Sequence, residues 1–353
     1  RCLNLLLTYP EGCRANCAYC GLARHREADR DYADRNFIRV DWPAVPMGQI
    51  VDIVAEDPEN SPFHRMCISM ITHPRSESDT FDVLQQWTDK IDPDVIPISI
   101  LSNPTTMSRD DVKRTKDLGA DIFTVALDAA TPELFDRTRG KGVQSPHKWK
   151  KYWDTMLEAK DIFGPEKFGA HIIVGMGETE YEVLNLVQEL VDLGGHSHMF
   201  CFFPEEGSLM DHLPATPRDQ WRRVQLGRYL IDYGGGHVDR MKFDEAGRVI
   251  DFGIPKAELD AVIEQDEQDR QQQRPCGDSE AGKEGQPDRE IKDLADLRWN
   301  SWHWRHPVQE AALELRKKDA PEDQTQGGEV FGLRAFPEED HTDQYSPQRD
   351  EIV

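Results

Sequence analysis

The segment Gly12-Cys13-Arg14-Ala15-Asn16-Cys17-Ala18-Tyr19-Cys20 carries three cysteines in a Cys-x3-Cys-x2-Cys pattern. Thiolates this close along the chain can gather around one metal centre at little loop-closure cost. A structural zinc ion takes four protein ligands, and His25 is the candidate fourth. A four-iron cluster takes one thiolate per iron, so three cysteines leave one iron open to a bound molecule. The remaining cysteines are Cys2, Cys67, Cys201 and Cys276, which makes seven in all. An odd count in a chain this long favours metal binding or catalysis over a disulfide framework. The histidines, among them His196, His198, His303 and His306, form no two-histidine motif on a strong helix.

The elements that must hold the cysteines follow from periodicity. Short β-prone runs recur at Cys2–Thr8, Arg65–Thr72, Val95–Asn103, Ile122–Asp128, Gly169–Gly175 and His198–Phe203, and helical patterns fill the gaps. Ser108 with Asp111 predicts a helix start that Gly119 closes, and Thr131-Pro132 predicts another. Thr216-Pro217 predicts a third start of the same kind. Glu180–Leu193 shows an apolar helical face ended by Gly194-Gly195. Six strand–helix alternations argue an α/β fold with a parallel sheet, its working residues at the carboxyl ends of the strands. Cys2, Asn4, Leu6 and Thr8 share one face of the first strand. Cys67, Ser69 and Ile71 share one face of the second, Ser99, Leu101 and Asn103 one of the third, and Thr124, Ala126 and Asp128 one of the fourth. A strand face this small and polar suits a barrel whose lumen holds a polar ligand.

Composition sets the outer bounds. The chain has 353 residues with 42 Lys plus Arg against 66 Asp plus Glu, a formal charge of -24. Such a charge repels nucleic acid and anionic lipid, so neither is an expected partner. No apolar run is long enough for a membrane span. The start Arg1-Cys2-Leu3-Asn4-Leu5 lacks a secretion leader pattern, and the expected location is cytoplasmic. Residues 257–353 carry 25 acidic and 12 basic side chains, a composition that reads as a solvated, loosely ordered extension. The expected organisation is therefore a domain over 1–255 and an acidic extension over 256–353 that folds back to cap it or stays free.

Cys13-x3-Cys17-x2-Cys20, with Tyr19 before the last cysteine, resembles the signature of radical S-adenosylmethionine (SAM) enzymes, which sits between a first strand and a first helix. The resemblance implies a partial (β/α)6 TIM-like barrel, a [4Fe-4S] cluster on the three cysteines, and SAM chelating the open iron. Reduction by one electron would cleave SAM and yield a 5′-deoxyadenosyl radical that abstracts hydrogen from substrate. The stretch Ile173-Val174-Gly175-Met176-Gly177-Glu178 is similar to the family's adenine-contacting motif, with His171 at its usual leading glycine. The resemblance thus implies a SAM site of Tyr19, Ser102, Asp128, His171, Ile173, Gly175 and Glu178. Thr72-His73-Pro74-Arg75 stands where the family carries Gly-Gly-Glu to hold the SAM amino group.

Cys17–Arg24 is similar to the biotin synthase-like subgroup. Residues 35–43, 128–136 and 171–180 resemble the archaeal-type, two-protein lipoyl synthase, and the likeness spans roughly residues 2–255. That implies a radical SAM sulfurtransferase inserting sulfur into a protein-bound octanoyl chain. Its substrate would be an octanoylated lipoyl-domain protein, its reductant a ferredoxin or flavodoxin, and a partner radical SAM subunit would share the work. Sulfur would come from a second iron–sulfur cluster. The single-chain enzyme's Cys-x4-Cys-x5-Cys run is absent, leaving Cys2, Cys67, Cys201 and Cys276 as candidate ligands, with inert buried thiols as the alternative. Phe200, Phe202, Phe203 and Met176 could line an acyl path, and Lys148–Lys151 could dock an acidic lipoyl domain. Alternatives are another biotin synthase-like enzyme (biotin synthase, methylornithine synthase or hydrogenase-maturation type) or a structural metal-binding or interaction protein organised around Trp299, Trp302 and Trp304.

Overall fold

The computed structural model describes residues 2–26, 44–262 and 333–336. Its central sheet is all parallel. In chain order its strands are β1 (Cys2–Leu7), β2 (Ala44–Pro46), β3 (Arg65–Ser69), β4 (Ile98–Ser102), β5 (Ala120–Asp128), β6 (Phe168–Val174), β7 (His196–Cys201) and β10 (Leu333–Phe336). The spatial order is β2-β10-β1-β3-β4-β5-β6-β7. The helices are α1 (Met47–Ala55), α2 (Ser76–Thr88), α3 (Arg109–Asp117), α4 (Pro132–Thr138), α5 (Trp149–Phe163), α6 (Glu180–Asp192) and α7 (Arg218–Asp232). A small antiparallel ribbon, β8 (Lys242–Phe243) with β9 (Val249–Asp251), follows α7. The six strands expected from sequence are all present and curl as a half-barrel.

One face of the sheet is the core. Leu3, Leu5, Met66, Ile68, Ile98, Ile100, Phe123, Phe168, Ile172 and Val174 are buried there, packed under the helices with Trp87 and Tyr152. The alternate positions form the lumen. Cys2, Arg65, Cys67, Ser69, Ser99, Leu101, His171, Ile173 and His196 are half-buried, and Asn4, His198 and Phe200 are exposed. The period-2 alternation that put small polar residues on one face therefore shapes a polar concavity rather than a packed centre. Arg65 donates to Ser99 Oγ at 2.9 Å and pairs with Asp121, which also takes Lys167 Nζ at 3.1 Å. Those groups close the amino-terminal end of the lumen.

Local signals explain the helix starts. Ser108 and Asp111 form a reciprocal capping box on α3, and Thr131 caps α4 with Pro132 next to it. Thr179 and Glu182 make a second box on α6. The Thr216 expectation is corrected: Pro217 is the N-cap of α7 and no side chain caps it. Thr216 Oγ1 bonds instead to the carbonyls of Val174 and Phe202, at 2.7 and 3.1 Å, tying together the ends of β6 and β7. Glu180 is buried, pairs with Arg223, and accepts from Val249 N at 2.8 Å, which holds the ribbon against α6.

One described segment adds to the sequence reading. Residues 333–336, inside the acidic extension, form a strand between β1 and β2, so that segment belongs to the sheet. Cys276, the tail tryptophans and most of 256–353 lie outside the described residues, as does the stretch 35–43. Among the described residues, no helix is long and apolar enough to cross a membrane.

Candidate active site at the carboxyl ends of the strands

The loop after β1 lies over the strand ends and is clamped from four sides. Gly12, in the left-handed region at φ 72°, turns the chain and donates to Tyr9 O at 2.9 Å. Arg14 N donates to Thr72 O at 2.8 Å, fastening the loop to the end of β3. Ala18 N reaches Thr138 O at the end of α4 at 2.7 Å, and Met210 N reaches Ala18 O at 3.0 Å. Asn16 Nδ2 donates to Val143 O at 2.9 Å while Asn16 N donates to Ser145 Oγ at 3.2 Å.

Clamping brings Cys17 and Cys20 close to Cys13, and neighbouring thiolate charge adds to the cost of ionising Cys17 and Cys20. Burial pushes the Cys17 thiol up to about 12, and burial also pushes Cys20 up, with Cys17 and Cys13 adding to it. Backbone N–H groups of Ala15 and Leu22 point at the sulfurs of Cys13 and Cys20, each at 3.4 Å. These thiols are costly to ionise alone, and a cationic centre removes that cost because a coordinating thiol gives up its proton. Amide donors aimed at the sulfurs are the outer contacts that tune iron–sulfur centres. The donor set therefore fits a thiolate-held cluster. His25, the zinc alternative's fourth ligand, instead accepts from Arg24 Nε at 3.1 Å. Among the described residues no three His, Cys, Asp or Glu side chains close on a single-ion centre.

Next to the cysteines lies a buried polar network that sequence reasoning largely missed. Asp128, at the end of β5, holds a left-handed conformation at φ 64°, a sparsely populated region for a non-glycine residue. Its carboxylate accepts from Tyr19 Oη and pairs with Arg139. Arg139 follows α4, is 4% exposed, donates to Tyr19 Oη at 2.6 Å and also reaches Asn103 Oδ1. Burial works against its charge, and the Asp128 carboxylate outweighs that, so its pKa lies above the ordinary guanidinium value. Tyr152 Oη lies 2.8 Å from His147 Nδ1, which also meets Thr105 Oγ1 at 2.6 Å. Burial and then Arg139 hold His147 neutral, its pKa down at about 2. Arg139 Nε is buried without a partner among the described residues. Nothing in the spacing of Arg139, Asn103, Tyr152 and His147 marks them in sequence; only Asn103 had been placed on the lumen face.

The other expected SAM contacts divide. Tyr19 and Asp128 stand together beside the cysteines. Ser102 is buried on the helix-facing side and donates to Thr124 O at 3.0 Å; its neighbour Asn103 faces the site instead. Glu178 turns back on its own loop and accepts from Gly175 N and, at 3.0 Å, Met176 N. Burial raises its pKa despite those donors. Gly175 has φ 103°, and a Cβ there would lie 2.2 Å from Thr216 Oγ1, so its close approach is to Thr216. Ile173 faces the lumen opposite Phe200 in register. His171 lies lower in the lumen, its ring centroid 5.0 Å from that of His198 and 5.1 Å from that of Phe200. With His196 they form a row of imidazoles along the open lumen wall, where partial desolvation, and then neighbouring positive charge, lowers His196 to about 4 and His198 to about 3.

The structure divides the proposed second set of cysteines. Cys2 and Cys67 face each other across β1 and β3, their Cα atoms 6.6 Å apart, and form a disulfide, so these two are not the unpaired ligands expected. Cys201 is exposed on β7 at the opposite end of the sheet order. Phe202 and Met176 belong to the core, whereas Phe200, Ile173 and Leu101 face the lumen.

The radical SAM superfamily pattern matches residues 7–190, the span that begins at the end of β1, carries the three-cysteine loop and ends within α6. The chain belongs to the radical SAM superfamily. Solved structures similar to this radical SAM chain include methylornithine synthase (PylB), 15% identical over 65% of this chain and 63% of that one, TM-score 0.48. Another is the [FeFe]-hydrogenase maturase HydG from Carboxydothermus hydrogenoformans, 16% identical over 66% and 52%, TM-score 0.47. A third is the radical SAM methyltransferase TsrM from Kitasatospora setae, solved with cobalamin and a [4Fe-4S] cluster, 14% identical over 74% and 52%, TM-score 0.39. The chain spans between half and two-thirds of the length of these structures. No curated protein matches it.

Proposed function

We propose that this radical SAM chain inserts sulfur into an octanoyl chain carried by a protein or peptide, in the manner of the two-protein lipoyl synthases. The clamped Cys13–Cys17–Cys20 loop carries the part of the reading that concerns SAM. With a [4Fe-4S] cluster held there, the bound SAM supplies the hydrogen-abstracting radical on one-electron reduction. The chain's own residues do the rest. Tyr19 and Asp128 stand beside the cysteines as hydrogen-bonding groups for the polar parts of SAM. Arg139 is a fixed cation with an unpartnered Nε, suited to a carboxylate. The clamps from Thr72, Thr138, Ser145 and Met210 hold the cysteines against the strand ends and limit water entry.

The octanoyl reading rests on the stretches 128–136 and 171–180 and on the lumen. Ile173 and Phe200 offer an acyl chain apolar contact, and burying its methylenes supplies about 0.8 kcal/mol each before ordering costs. Cys2 and Cys67 put two sulfur atoms on the lumen wall. In their reduced form they are candidate ligands for a sulfur-donating second cluster, with Cys201 and Cys276 completing the set. The test incubates anaerobically reconstituted protein, SAM and reductant with an octanoyl-lysine peptide, with and without a partner radical SAM subunit. A mass gain matching sulfur supports the reading. 5′-Deoxyadenosine without thiolated peptide under both conditions would favour a different biotin synthase-like reaction.

A further inference from the structure

The 17 residues from Arg137 to Trp153 contain six basic and no acidic side chains, in a chain whose acids outnumber its bases 66 to 42. Half of those charges are engaged: Arg139 is buried in the Asp128 pair, Lys150 pairs with Asp154, and Lys151 Nζ donates to Met107 O. Lys141 and Lys148 are exposed. They stand on an open groove of about 600 Å³ with Phe135, Pro146, His147 and Trp149, where Asp136 is the one acidic lining residue and accepts from Lys141 N at 3.0 Å. This same segment is bonded to the cysteine loop: Thr138 O, Val143 O and Ser145 Oγ accept from Ala18 and Asn16, and Arg24 Nη2 donates to Gln144 O at 3.2 Å. A basic, partly apolar surface therefore lies directly against the loop that holds Cys13, Cys17 and Cys20.

We propose that the face carrying Lys141, Lys148 and Trp149 is the docking surface for an acidic one-electron carrier protein of the flavodoxin type. One electron passes from the carrier's reduced flavin to the cysteine-held cluster; the flavin is oxidised by one electron, and no bond forms or breaks in this chain. A surface with net charge -24 repels an acidic protein at long range, so a local positive patch decides where encounter succeeds. The two lysines supply that patch, and Trp149, stacked on Trp153 with centroids 5.9 Å apart, supplies the aromatic anchor such interfaces favour. The inference rests on the cluster assignment, and its test separates the two.

The K141E/K148E variant is compared with wild type and with K90E, a charge reversal beyond α2 at the amino-terminal end of the barrel. Calorimetry at low salt measures the Kd for a purified flavodoxin, independent of turnover. Wild type and K90E should bind alike, K141E/K148E at least tenfold more weakly, and added salt should weaken wild type while leaving the variant nearly flat. With dithionite as reductant all three should make 5′-deoxyadenosine equally, whereas flavodoxin-driven formation should fall only in K141E/K148E. An unchanged Kd in the double variant overturns the docking proposal. So does normal flavodoxin binding with lost affinity for an octanoylated lipoyl domain, which would assign the face to the acyl carrier. Absence of dithionite-driven 5′-deoxyadenosine in wild type would instead strike the cluster assignment.

Discussion

Arg139 is the group whose removal tests the site's architecture most severely. It is 4% exposed, pairs with Asp128, and donates to Tyr19 Oη at 2.6 Å and to Asn103 Oδ1, with Tyr152 Oη at 3.4 Å. Arg139→Met keeps the volume but leaves the Asp128 carboxylate buried, at φ 64°, without its counter-charge. Breaking a buried pair from one side costs about 3–5 kcal/mol. At about 2–4 °C per kcal/mol for a domain of this size, the unfolding midpoint should fall by about 6–20 °C. Arg139→Lys should fall between, because one ammonium cannot span acceptors that the planar fork reaches together. Asp128→Asn with Arg139→Met removes both charges and should recover more than half of the loss. Anaerobic thermal unfolding of the four proteins, followed by circular dichroism, decides it. A midpoint for Arg139→Met within about 2 °C of wild type would mean that the buried network does not hold the site.

Three further outcomes follow from the geometry. Gly175→Ala should destabilise the fold by at least about 1–2 kcal/mol from its left-handed φ alone; adding Thr216→Ala should recover only part, and full stability of Gly175→Ala in urea would refute the Thr216 contact. His196 and His198 have folded pKa values lowered to about 4 and 3, so the unfolded chain binds more protons between those values and about 6.5. Stability should therefore rise with pH through that window and level off above it, more steeply in wild type than in H196N/H198N; parallel unfolding curves would refute the lowered pKa values of the imidazole row. C2S/C67S should leave 5′-deoxyadenosine formation intact but abolish sulfur insertion, and unchanged thiolated product would remove these cysteines from sulfur delivery.

Much of the scaffold was legible because its signals are local. Alternation on six strands reflects the two-residue side-chain period within each strand, and the Ser108 box and the Thr131-Pro132 start reflect hydrogen bonds made within a few residues. The cysteine spacing was legible for the same reason. Arg139, Tyr152 and His147 were not, because they meet Asp128 and Asn103 through the curl of the sheet, which no short spacing encodes. Thr216 resembled a helix cap and became a bridge between β6 and β7, since two strand-end carbonyls competed for its hydroxyl. Ser102 and Asn103 show how one residue of register decides a site: adjacent positions on β4 and just beyond it face opposite sides of the sheet. The pairing of Cys2 with Cys67 needed the parallel register of β1 and β3, which sets Asn4 opposite Cys67 and Cys2 opposite Arg65.

The central claim is that Cys13, Cys17 and Cys20 hold a cluster that cleaves SAM. Anaerobically reconstituted wild type and C13A/C17A/C20A are each given SAM and dithionite, and 5′-deoxyadenosine is quantified by mass spectrometry. Wild type should form it and the triple variant should form none; 5′-deoxyadenosine from the folded triple variant would contradict the account.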